Sequence, residues 1–152
     1  MNLYCVDTSG ILDGFRSYPL ANMPSLWKRV DGLIDGGQLF ATIEVLHELR
    51  QKADDAAAWA SARPVMFVPL DEAIQLEVRN ILQRFPRLMM QMKKRNAADP
   101  WVIALAALRG ATVVTGEFGG TDQRPKIPYV CDQLGIGCLT FVAMIQEEKW
   151  SI

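Results

Sequence analysis

Four carboxylates in this chain stand where a charge has no obvious structural task. Asp7 ends the short apolar run "LYCV" and is followed by Thr8-Ser9-Gly10; Glu44 comes just after "QLFAT"; Glu117 follows "ATVVTG"; Asp99 opens "DPWVIALAALRG". Each apolar run reads as a buried strand, and in parallel α/β sheets ligands bind outside the carboxyl ends of the strands. Helix N-termini share that edge, so Asp99 is expected there too. Acids brought together in this way repel one another, and each would have its pKa raised unless a cation neutralised the group. Hard divalent ions are the physical remedy, because Mg²⁺ and Mn²⁺ take oxygen ligands and are usually held by a few carboxylates. Such an ion activates water and stabilises the charge of a phosphodiester transition state, which is nuclease chemistry.

Competing roles stand beside each residue. Asp7 would also serve as a helix cap or as a phosphoacceptor, and Asp99 followed by Pro100 has the pattern of an N-cap. Glu48 lies one turn beyond Glu44 on the same helix face, and the earlier residue is expected nearer the rim. Asp122 is the alternative to Glu117. The single histidine, His47, sits beside both glutamates without ligand spacing and reads as a surface or packing residue. Asp13 falls within the first helix and reads as structural. Trp101, Val102, Leu105 and Leu108 read as a packed helix face.

The elements that must position these residues alternate between strand and helix. "LYCV" feeds a helix over "SGILDGF". Residues 23–37 carry Leu26, Val30, Leu33 and Ile34 at helical spacing, with Ser25 as N-cap and Gly36-Gly37 as the stop. "QLFAT" is a strand, followed by one long helix from Ile43 through "ADDAAAWASA" to Pro64. "VMFVPL" is an edge strand or a connector, since Pro69 cannot donate to a ladder. "DEAIQLEVRNILQRF" is a helix begun at Asp71 and ended by Pro86. "ATVVTG" is a strand buried on both faces; a polar loop, a short helix "PYVCDQLG", a strand "IGCLT" and a terminal helix complete the chain. The alternation predicts a three-layer α/β/α single domain over residues 1–152 with a central, mainly parallel sheet.

Bulk composition narrows the function. The 152 residues are half apolar and 22% charged, ordinary for one globular domain, and the net charge of −1 argues against coating nucleic acid by electrostatics alone. A local basic stretch does exist: "RFPRLMMQMKKRN" holds Arg84, Arg87, Lys93, Lys94 and Arg95 and no acid. It reads either as a solvated helix end or as a phosphate contact. Leu88 to Met92, with three methionines, reads as core or as a face for a partner protein or a second subunit. Cys5, Cys131 and Cys138 lack CxxC spacing and suit core positions in a reducing compartment. The start "MNLYCVD" lacks a signal-peptide pattern, and no apolar run approaches the ~20 residues of a membrane helix, so a cytoplasmic protein is expected.

Taken in order, "VDTSGILD", "ATIEVLHEL", "ADPWVIALAALRGATVVTGE" and "KIPYVCDQLGIGCLTFVAMIQEEKW" resemble PIN-domain ribonucleases. The last segment is similar to an uncharacterised bacterial PIN-like subfamily related to toxin-type PIN nucleases. The resemblance spans essentially the whole chain and implies a PIN-like fold. It implies that Asp7, Glu44 and Asp99 are metal ligands, direct or through water, with Glu117 as a fourth acid and Ser9 and Thr115 as supporting hydroxyls. It implies a Mg²⁺- or Mn²⁺-dependent endoribonuclease that leaves a 5′-phosphate and a 3′-hydroxyl, the toxin half of a toxin–antitoxin pair, with Lys93, Lys94 and Arg95 as weaker RNA contacts. The fourth position departs from the pattern, since toxin-type relatives carry Asp or Asn where this chain reads Thr115-Gly116-Glu117. Two rivals remain: a catalytically degenerate PIN-like module binding RNA or protein, and a haloacid-dehalogenase-type phosphotransferase. The second expects an Asp two residues after Asp7, where Ser9 stands.

Overall fold

In a computed structural model, residues 1–90 and 99–152 are described. Lys93, Lys94, Arg95 and Met92 lie outside the described residues. The architecture is α/β, a single domain around a five-stranded sheet in the order β3-β2-β1-β4-β5, every described pairing parallel. The strands are β1 (Tyr4–Val6), β2 (Leu39–Thr42), β3 (Phe67–Val68), β4 (Thr112–Val114) and β5 (Cys138–Leu139). The described helices are α1 (Thr8–Ser17), α2 (Pro24–Asp35), α3 (Ile43–Lys52), α4 (Asp54–Ser61), α5 (Glu72–Arg84), α6 (Asp99–Arg109), α7 (Ile127–Leu134) and α8 (Phe141–Glu148).

From β1 the chain steps outward through β2 to β3, then returns across the sheet to β4 and β5. With right-handed crossovers, this reversal puts the two sets of helices on opposite faces. The contacts agree: α1 packs on α3, α4 and α8, whereas α5 packs on α6 and α6 on α7. β1 is central and wholly buried, which is why its residues are continuously apolar rather than alternating. Around α1, Phe15 stacks on Trp27 at 4.6 Å and meets Trp59 edge-on at 5.5 Å, while Trp27 also packs on Phe141. Gly14 permits the approach of α8, since a Cβ there would lie 2.8 Å from the Phe141 ring.

Several local expectations change. The helix expected to run unbroken from Ile43 divides at Ala53, whose extended backbone (φ −154°, ψ 119°) separates α3 from α4; Asp54 and Asp55 then open the new helix as acids suited to its positive end. Ser25 is not the cap of α2: Pro24 is already helical, Met23 precedes it, and no side chain caps the end. Pro69 leaves only the two-residue edge strand β3. On α6, Val102 and Leu105 are buried and Trp101 partly so, but Leu108 is 46% exposed, as are its neighbours Ala107 and Arg109 in the last turn. Leu88 is core, whereas Met89 and Met90 are exposed.

Candidate active site

The β1–β4 register pairs Val6 with Val114, and carrying it one step further sets Thr115 beside Asp7. The Asp7 N–H extends the ladder by donating to the Val114 carbonyl at 3.0 Å. On the other side, the β1–β2 register brings Thr42, the last residue of β2, level with Asp7. Gly10 holds α1 tight against β4: a Cβ there would stand 2.6 Å from the Val114 carbonyl oxygen. Strand end and helix start are thereby fixed together.

Asp7 does cap α1, its Oδ1 accepting the Gly10 N–H at 2.6 Å, but capping accounts for only part of its surroundings. The Ser9 hydroxyl lies 2.9 Å from Oδ1 and 3.0 Å from Oδ2, and the Thr115 hydroxyl donates to Oδ2 at 2.6 Å. Both hydroxyls are oriented from behind. The Gly116 N–H donates to Ser9 Oγ at 2.9 Å and the Glu117 N–H to Thr115 Oγ1 at 3.1 Å, which turns the hydroxyl protons toward the carboxylate. Three protons therefore meet a group with about four lone-pair sites, leaving room for one more electrophile. Burial pushes the Asp7 pKa up to about 7 despite the bonds from Thr115, Gly10 and Ser9, and the charge of Glu117 adds to the rise.

Asp99 lies within the first turn of α6 rather than before it, and is 6% exposed. Its Oδ2 is buried and has no hydrogen-bond partner among the described residues. Burial, then the charges of Glu117, Asp7 and Glu48, raise its pKa to about 9, with Lys52 acting in the opposite direction. Four acids from β1, α3, β4 and α6 thus act on one another at the carboxyl edge of the sheet.

The α3 acid whose charge reaches Asp99 is Glu48; Glu44, the one expected from sequence, is not among the acids that raise it. Glu44, in the first turn and partly buried, faces His47, with Nδ1 to Oε1 at 3.5 Å. One turn on, where α3 packs beside α1, the Glu48 Oε1 accepts the Thr8 hydroxyl at 2.6 Å, one residue from Asp7. Glu117 is tethered through Oε2, which accepts the Ile127 N–H at the start of α7 at 3.1 Å. Asp122 is exposed further along the loop and is not among the acids that raise Asp99. Asp13 pairs with Arg16 at 3.0 Å. Lys52 and Thr8 were missed by sequence reasoning; the i, i+4 spacing from Glu48 to Lys52 was the available signal.

Among the described residues, no three Asp, Glu, His or Cys side chains form a ready-made metal-ligating group. The chemistry of the donor set still fits a divalent cation. Asp99 offers a buried oxygen with no donor among the described residues, Asp7 retains a lone-pair site, and both carboxyls are raised by burial first and by acidic neighbours in addition. A hard cation answers the missing bond and the repulsion together, and it needs only one or two protein carboxylates because it keeps its waters.

The chain belongs to the family described as a domain of unknown function (DUF4411), which matches residues 4–152. No curated protein matches the chain. Among the described residues, no helix is long and apolar enough to cross a membrane.

Proposed function

We propose that this protein is a PIN-like, Mg²⁺- or Mn²⁺-dependent endoribonuclease of the cytoplasm, acting as the toxin partner of a cognate antitoxin protein. The observation that carries this is Asp99: a carboxyl group buried on a rim of acids, with one oxygen unpartnered among the described residues and its pKa lifted to about 9. A residue kept only to begin a helix has no need of three acidic neighbours. Asp7, Asp99 and Glu48 would hold the cation, with Glu117 beside them. Bound there, it would supply charge neutralisation and Lewis-acid assistance to phosphodiester hydrolysis.

The chain's own groups have definable tasks in that reaction. Ser9 and Thr115 fix the direction of the Asp7 carboxylate, so little reorganisation is needed when substrate arrives. Glu48 and Glu117 add negative charge that favours the loaded over the empty site. Lys52, whose charge reaches Asp99, offers a cation to an approaching phosphate. The phosphotransferase alternative is disfavoured because both Asp7 oxygens already accept hydrogen bonds and the residue is 2% exposed, which leaves a poor nucleophile.

The test is incubation of the purified protein with a mixed RNA pool, with and without Mn²⁺, followed by sequencing of new ends. Mn²⁺-dependent ends bearing 5′-phosphates support the proposal. Tight RNA binding with no cleavage would replace the nuclease with a degenerate binding module.

A further inference from the structure

Beside the acids lies a crevice that the proposed hydrolysis does not use. It has a volume of about 370 Å³ and reaches the site through Thr115 and Glu117, so an occupant would lie next to the carboxylates. Its remaining walls include Phe118, Pro128, Leu139 and Asp132. A second hollow of about 230 Å³ lies beyond it, and Phe118 and Thr140 line both. Phe118 is 73% exposed, and it stands between two hollows rather than in the core.

We infer that this crevice is a subsite for a guanine base of single-stranded RNA adjoining the scissile phosphate. The inference rests on the nuclease reading above and adds to it the nucleotide that is read. Glu117 and Asp132 exclude a phosphate from the crevice, since both bring negative charge. An uncharged, flat group linked to a phosphodiester is a nucleobase, and an exposed phenyl ring between two hollows is a stacking platform for it. A carboxylate only accepts hydrogen bonds, so Asp132 selects a base edge made of donors. Guanine presents two adjacent donors, N1–H and the N2 amino group, to match the two carboxylate oxygens. Adenine and cytosine present one amino group, and uracil a single N–H. In a duplex that edge is occupied by pairing, so the substrate is single-stranded.

The experiment uses short oligouridylates carrying one guanosine, inosine or adenosine, with wild-type protein, Asp132→Asn and Phe118→Ala. Cleavage position and kcat/KM are measured in Mn²⁺, and binding by fluorescence anisotropy in EDTA. Wild-type protein is expected to cut beside guanosine at least tenfold more efficiently than beside adenosine, with inosine between them. Asp132→Asn should level guanosine with adenosine, and Phe118→Ala should raise KM about tenfold on every sequence. Cleavage without base preference, or a guanosine preference that survives Asp132→Asn, overturns the subsite and leaves the nuclease standing. Absence of any cleavage defeats the nuclease instead, and binding then decides the subsite: tighter guanosine binding lost in Asp132→Asn supports it, and equal guanosine and adenosine affinities overturn it.

Discussion

Replacing Asp99 by Asn should make the metal-free protein more stable while removing its response to metal. An ordinary Asp carboxyl titrates near 3.8, whereas burial and the charges of Glu117, Asp7 and Glu48 lift Asp99 to about 9. Because the folded-state value is the higher one, the folded protein holds a proton that the unfolded chain has released. Stability is therefore greatest below pH ~4, falls as pH rises, and stops falling above pH ~9. At pH 7 the pH lies roughly three units above the unfolded-state value, and at ~1.4 kcal/mol for each the folded state has lost about 4 kcal/mol. Asn avoids that loss because it never ionises. Its amide adds N–H groups where Oδ2 has no partner among the described residues, which returns about 1 kcal/mol. The net gain of about 3 kcal/mol corresponds to a Tm rise of roughly 6–12 °C for a domain of this size. The assay is thermal unfolding in EDTA from pH 4 to pH 9, repeated with Mn²⁺ at pH 7. Wild type should gain stability from Mn²⁺, about 2.7 kcal/mol at a hundredfold excess over Kd, and Asp99→Asn should gain none. A variant no more stable than wild type at pH 7, with an equal Mn²⁺ response, would refute the reasoning.

Glu48→Gln should abolish Mn²⁺-dependent cleavage while Glu44→Gln leaves it within twofold, a contrast read from initial rates on the same RNA. Thr115→Val removes the hydroxyl that donates to Asp7 Oδ2 and should cost about 1–3 kcal/mol in denaturant unfolding, with cleavage reduced about tenfold. Gly10→Ala forces a Cβ against the Val114 carbonyl, so α1 must shift away from β4. It should lower stability by about 2 kcal/mol or more and weaken Mn²⁺ binding, since Asp7 moves with the helix.

Strand and helix types were legible because their signals are local. The continuous apolar runs "LYCV" and "ATVVTG", with Gly10 and Gly110 beside them, lead to buried parallel strands, and the carboxyl-end rule then brings Asp7, Asp99 and Glu117 to one rim. What was less legible depends on three-dimensional packing. The extended backbone of Ala53 breaks a stretch whose alanine-rich composition favours a single helix, since tertiary packing overrides propensity. Glu44 and Glu48 share a helix face in sequence, and only the packing of α3 on α1 sets Glu48 against Thr8 while Glu44 faces His47. The crevice around Phe118 and Asp132 was not visible at all, because it joins the loop after β4 to α7 and β5. The expected RNA contacts Lys93, Lys94 and Arg95 lie outside the described residues.

Mn²⁺ titration followed by electron paramagnetic resonance tests most directly whether these carboxylates bind a divalent cation. The signal of free Mn²⁺ should be suppressed by wild-type protein at stoichiometric concentrations, and left at full strength by Asp7→Asn or Asp99→Asn. Equal Mn²⁺ uptake by wild type and both variants, or none by wild type, would contradict binding by these carboxylates.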